Sequence, residues 1–197
     1  MTSFKLRHAA PLLVVMAAIA CSRVAPSDPA SPAKAETPPA TAPALPLVEP
    51  PAPGTPGGLP DDRTPVSEAP FTEDSAQGAA NVVQTYYALL GGRAFDKAWA
   101  LWSDGGKASG QATPAAFGAS FERYAQYNAQ VGGPGAIEGA AGSLYVTVPV
   151  VIYGRLKTGA EVHEKGQATL RRVNDVPGST PEQRRWHIAK IETKPTP

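Results

Sequence analysis

Fourteen of the 22 prolines in this 197-residue chain fall between residues 22 and 70. A ring that fixes φ and removes the amide donor is excluded from helix interiors and from central strands. Runs such as Pro38-Pro39-Ala40-Thr41-Ala42-Pro43 favour extended polyproline II segments, and they hold too few large apolar side chains to offset the entropy of ordering. Residues 21–70 therefore read as a disordered Pro/Ala-rich tether, able to reach about 150 Å at about 3.1 Å per residue. Three basic and six acidic residues along it leave a net charge too small to specify a partner. The foldable part is residues 71–197.

Ahead of the tether, Lys5, Arg7 and His8 precede an apolar run over residues 9–20 that is broken only by Pro11 and ends in small residues. This is a signal-peptide pattern. The run is about a dozen residues long, short of the roughly 20 that a membrane-spanning helix requires. It closes on Ala18-Ile19-Ala20-Cys21, which resembles the bacterial lipobox, with alanine where leucine is usual three residues before the cysteine. The resemblance implies a signal peptide over residues 1–20 and a diacylglycerol anchor, with palmitate-like chains, on the Cys21 thiol. Two or three acyl chains, at about 0.8 kcal/mol per buried methylene, hold a protein on a membrane. Ser22 replaces the aspartate that signals inner-membrane retention in enteric bacteria. By the same resemblance the expected place is the cell envelope, on the periplasm-facing side of the outer membrane. Cys21 is the only cysteine, so the domain has no disulfide to draw on even in an oxidising periplasm.

Within the domain, Val82, Val83, Tyr86, Leu89 and Leu90 recur at three- and four-residue spacing from Ala79 onward, which marks an amphipathic helix ended by Gly91-Gly92. Phe95, Ala98, Trp99 and Trp102 share the face of a second helix, stopped at Asp104-Gly105-Gly106. Thr113-Pro114 is an N-cap followed by proline at the first helical position and opens a third. Its face is Phe117, Phe121, Tyr124 and either Tyr127 or Asn128, and Gly132-Gly133-Pro134 breaks it. The period then changes to two. Strands are expected over residues 143–154, 160–173 and 184–193, with a turn at Thr158-Gly159 and a short strand near residues 136–138. Pro149 inside the first long strand requires an edge or a bulge, and bulges bend sheets. The fold class is thus α+β, three N-terminal helices packed on a curved antiparallel sheet of three to four strands.

The patterns Val82-Val83-x-x-Tyr86-Tyr87-x-x-Leu90, Phe95-x-x-Ala98-Trp99 and Trp186-x-Ile188 resemble the NTF2-like superfamily, which includes the SnoaL-like and ketosteroid-isomerase-like proteins. The resemblance covers about residues 76–193. It implies a cone of helices and sheet enclosing a pocket, which some members use for catalysis and many others for binding or assembly.

Steroid isomerases of that fold use a carboxylate base with a tyrosine and a second acid in an apolar pocket. Here Glu164, alternating inward with Val162 and Ala168, is the best-placed acid for a buried position, and the bland alternative is a salt bridge to Arg172 or Lys190. Tyr86, Trp99, Trp102, Tyr124, Tyr153 and Trp186 are the other candidate pocket-lining residues, against a default role as core filling. Of the histidines only His163 and His187 fall in the domain, and neither has a second ligand at metal-site spacing, so no metal is expected. No glycine-rich phosphate loop, nucleophile elbow or cysteine-histidine pair is present, and no cofactor is expected. Arg155, Lys157, Arg171, Arg172, Arg184, Arg185 and Lys190 make the sheet region basic. Over residues 71–197, however, 13 basic residues meet 11 acidic ones, which argues against a nucleic-acid partner. The expected function is non-catalytic binding of an envelope protein or a small apolar ligand. An isomerase or hydratase of the ketosteroid-isomerase type and a structural or assembly role are the alternatives, and the oligomeric state stays open.

Overall fold

The computed structural model describes residues 45–61 and 71–196, which lie in one compact unit running from Ala44 to Pro197. The expected signal peptide, Cys21 and the first part of the tether lie outside the described residues. Among the described residues no helix is long and apolar enough to cross a membrane.

The domain is α+β. Helix α1 (Ala76–Gly91) starts where Ser75 Oγ accepts a hydrogen bond from the Gly78 amide at 3.0 Å, satisfying one of the free donors of a first turn. It buries Ala79, Val83, Tyr86, Tyr87 and Leu90, so that Val83, Tyr86 and Leu90 of the expected stripe face the core while Val82 and Leu89 are half-buried at its edges. Helices α2 (Phe95–Ala100) and α3 (Pro114–Ser120) are short. Thr113 caps α3 as its sequence signal requires, Oγ1 accepting from the Ala116 amide at 3.1 Å. Five strands follow: β1 (Tyr124–Val131), β2 (Glu138–Ala140), β3 (Ser143–Leu156), β4 (Glu161–Val173) and β5 (His187–Pro195). They form one antiparallel sheet in the order β1-β3-β4-β5, with β2 also paired to β3.

Two expectations about the helices are corrected. Helix α2 ends at Ala100, and Trp102 instead forms a parallel bridge with Ile188. Helix α3 ends at Ser120, and Tyr124, Tyr127 and Asn128 belong to β1, the strand that the sequence reading lacks. The cause is a bulge: the β1–β3 register slips by one residue between Tyr124 and Gln126. An extra residue resets the strand's alternation. Tyr124 and Tyr127, three apart, therefore share a face with ring centroids 4.7 Å apart, imitating helical spacing.

Val146, Val148, Val150 and Ile152 of β3, with Ala168 and Leu170 of β4 and Ile188 of β5, face the helices in the core. Pro149 sits in the middle of the sheet, yet its carbonyl accepts from the Gly132 amide, just past the end of β1. Carbonyl and nitrogen of one strand residue point to the same side. The missing donor thus falls where β1 has stopped and β2 has not begun, a local edge inside a central strand.

Gly154 and Gly166 continue the inward alternation of Ile152 and Ala168. A β-carbon on Gly154 would stand 2.1 Å from the Gln126 carbonyl oxygen, and one on Gly166 would stand 1.8 Å from that of Glu192. At both places the neighbouring strand's backbone lies over the inward face. Strands β1 and β5 thus fold toward the helices, and the sheet is curved.

Residues 45–61, which composition assigns to the tether, pack against this sheet. The Gln126 side-chain amide acts as a strand neighbour: its Oε1 accepts from the Val48 amide and its Nε2 donates to the Val48 carbonyl, both at 3.0 Å. Arg155 Nη2 donates to the Pro46 carbonyl at 3.2 Å. Val48 is only 6% exposed, so the segment contributes apolar burial as well as backbone bonds.

Candidate functional site

Between the helices and the curled end of the sheet lies a cavity of about 500 Å³. Helix α1 contributes Tyr86 and Tyr87, the segment after α2 contributes Trp102, and Phe121, Tyr124 and Tyr127 come from the α3–β1 junction. The sheet supplies Ile152, Glu164, Ile191 and Thr193. Each group is held by its element. Trp102 is pinned on both sides, because the Ile188 amide donates to the Leu101 carbonyl and the Ser103 amide donates to the Ile188 carbonyl, each at 2.9 Å. The bulge in β1 turns Tyr124 and Tyr127 inward together.

The rings form a continuous wall. Tyr86 lies 5.8 Å from Trp102 and 5.0 Å from Tyr87, Tyr87 lies 6.4 Å from Tyr127, and Tyr127 lies 4.7 Å from Tyr124, all between centroids. Burial raises the Tyr86, Tyr87 and Tyr127 hydroxyls well above the usual phenol value. For Tyr87 and Tyr127, neighbouring tyrosines and the Glu164 carboxylate add to the effect. These phenols therefore stay protonated and serve as donors. Opposite them, Glu164 Oε2 accepts from Thr193 Oγ1 at 2.6 Å, a bond that orients the carboxylate.

Tyr87 Oη is buried without a hydrogen-bond partner among the described residues, whereas the buried Trp102 indole is directed at the Tyr86 hydroxyl, an interaction that opposes the effect of burial on that phenol. A buried donor left in that state costs about 1–3 kcal/mol. Groups of this kind are rare in native proteins.

Of the residues expected to line a pocket, Tyr86, Trp102, Tyr124 and Glu164 meet in this cavity. Trp99, Tyr153 and Trp186 do not line it, although Tyr153 borders a separate groove with Tyr87 and Asn128, and Trp186 another with Leu101 and Arg185. Trp99 packs under Gly106, whose β-carbon position is 2.2 Å from its ring. Tyr153 alternates to the outward face of β3, opposite Asn128 and His163. The Trp186 ring lies under the Arg172 guanidinium and its Nε1 donates to the Ser75 carbonyl at 3.0 Å, a structural role. Tyr87, Phe121, Tyr127, Ile152, Ile191 and Thr193 are among the lining residues outside that expected set; the bulge hides Tyr127, and Thr193 has its partner 29 residues away.

The bland alternative for Glu164 is not what is seen. Arg172 approaches Asp74 at 3.8 Å and Lys190 pairs with Glu192 at 2.7 Å. Arg155 pairs with Glu161, Arg184 with Asp175 and Arg185 with Glu182, so most of the basic sheet region is matched by acids. His163 and His187 lie beside Glu161 and Glu182 at 3.5 and 3.0 Å, and no metal-binding cluster occurs among the described residues. No family model and no curated protein matches the chain.

Proposed function

We propose that this chain is an envelope lipoprotein, anchored through Cys21, whose domain is an NTF2-like cone that binds a small, largely apolar molecule without transforming it. One observation carries the binding part. The cavity has an aromatic wall broken by a few polar groups, Glu164, Thr193 and Arg123, the combination of apolar lining and few convergent polar groups that small-molecule sites use. Because residues 45–61 are docked on the domain, the spacer reduces to residues 22–44. Fully extended, that stretch reaches about 70 Å at about 3.1 Å per residue.

Two experiments test the parts separately. Cys21→Ser is expected to abolish incorporation of labelled fatty acid and release the protein from membranes; retained label refutes the anchor. Melting the full chain against fractions of an envelope lipid extract tests the cavity. At a hundredfold excess over Kd a ligand stabilises by about 2.7 kcal/mol, raising Tm by roughly 5–10 °C. No shift with any fraction counts against binding.

A second reading, an isomerase or hydratase, is favoured by Glu164, which shares the cavity with donor phenols and is oriented by Thr193. A carboxylate base facing phenol donors is the arrangement that proton abstraction beside a carbonyl needs. Turnover of an enolisable ketone that Glu164→Gln lowers at least a hundredfold would establish it.

A further inference from the structure

We infer that the cavity's ligand carries a cationic, alkylammonium-type head, seated between the Glu164 carboxylate and the ring wall of Trp102, Tyr86, Tyr87 and Tyr127. This rests on the proposed ligand-binding reading and narrows it to one class of charge.

Asp74, Glu161, Asp175, Glu182 and Glu192 each have an arginine, lysine or histidine as partner. Glu73, Asp96, Asp104, Glu122 and Glu138 have none among the described residues but are exposed to water, whereas Glu164 has none and is half-buried. Its bonded partner is the Thr193 hydroxyl, a neutral donor that orients the group without cancelling its charge. A partly buried carboxylate facing an apolar space is costly unless a cation is supplied. The cation on the same lining, Arg123, does not pair with it: its guanidinium donates to Tyr124 Oη at 2.7 Å and lies 4.8 Å over that ring.

The wall opposite suits the same charge. A cation within about 6 Å of a ring centroid is attracted by the ring's quadrupole, and such aromatic cages recognise alkylated ammonium groups. Here Trp102, Tyr86, Tyr87 and Tyr127 follow one another at centroid spacings of 5.8, 5.0 and 6.4 Å, so a single head can touch several rings. Arg123 over Tyr124 shows a cation already seated on one ring of the same lining. The phenols contribute in a second way. Burial keeps Tyr86, Tyr87 and Tyr127 neutral, so Glu164 is the one anionic group on the lining, and the cation there, Arg123, sits over the Tyr124 ring. With about 500 Å³ available, an alkyl chain can follow the head and cover Ile152 and Ile191.

Calorimetric titration of the full chain with hexyltrimethylammonium, 1-hexanol and hexanoate separates charge from chain length. The cation is expected to bind at least tenfold tighter than the alcohol, with hexanoate weakest. Glu164→Gln is expected to bring the cation down to the alcohol's affinity. Hexanol binding as tightly as the cation, or a cation affinity unmoved by Glu164→Gln, overturns the charge assignment while leaving the apolar cavity in place. Absence of binding by all three also overturns it, and the melting experiment with lipid fractions then decides the cavity separately. Should Glu164→Gln fail to fold, the comparison of the three probes on the unaltered protein still decides the charge.

Discussion

Gly166→Ala is expected to destabilise the domain by about 3 kcal/mol or more, lowering Tm by roughly 6–12 °C. The new β-carbon would stand 1.8 Å from the Glu192 carbonyl oxygen and 2.7 Å from Thr193 Cα. Both are backbone atoms of β5, so no rotamer change relieves the clash and the strand itself must move away from β4. Exchanging glycine for alanine usually stabilises by about 0.4–1 kcal/mol through the unfolded chain, provided the native conformation admits the side chain. Gly91→Ala is the matched control, since nothing lies within 4 Å of its β-carbon position at the end of α1. Opposite signs for the two substitutions, read by thermal melting, would show that the penalty is local. Because Thr193 orients Glu164, Gly166→Ala should also weaken ligand binding. A variant melting within a degree of the parent would mean that β5 does not fold over the sheet at this point.

Ile188→Ala is expected to cost about 2–5 kcal/mol, the range for emptying a fully buried aliphatic position, whereas Ile188→Val should cost about 0.5–1.5 kcal/mol. Ile188 is fully buried, pairs with Leu170 across the β4–β5 ladder and brackets Trp102 through its amide and carbonyl. Its side chain thus supports the core, while its backbone positions Trp102 on the cavity wall. Denaturant titration reads the stability. Equal losses for Val and Ala would exclude packing as the cause, because the two differ in the volume they leave empty.

Local signals in the sequence carried far into the fold. The α1 stripe, the Thr113-Pro114 cap and the β3–β4 hairpin at Gly159 stand where periodicity and turn chemistry put them, since each depends on residues close in the chain. What stayed hidden depends on distant partners. The bulge at Tyr124/Gln126 makes a strand read as helix, because an i, i+3 pair of tyrosines fits both periods. Gly154 and Gly166 look like ordinary strand glycines until the backbones of Gln126 and Glu192 are placed over them. The proline-rich composition of residues 45–61 conceals a docked segment whose bonds use backbone atoms and the Gln126 amide, groups that composition does not report. At the site, alternation brought Glu164 inward correctly. The ring wall that faces it needed the β1 assignment, without which Tyr127 has no place.

The most direct measurement of the cavity's role follows the indole N–H signals of the three tryptophans as the full chain is titrated with the lipid fraction that stabilises it. Trp102 lines the cavity, whereas Trp186 lies outside it with its Nε1 bonded to the Ser75 carbonyl. Trp102→Phe assigns the first signal and Trp186→Phe the second. If the cavity is the binding site, the Trp102 resonance shifts with ligand concentration and the Trp186 resonance stays in place. A stabilised protein whose Trp102 signal does not move would put the ligand elsewhere and contradict the proposed function.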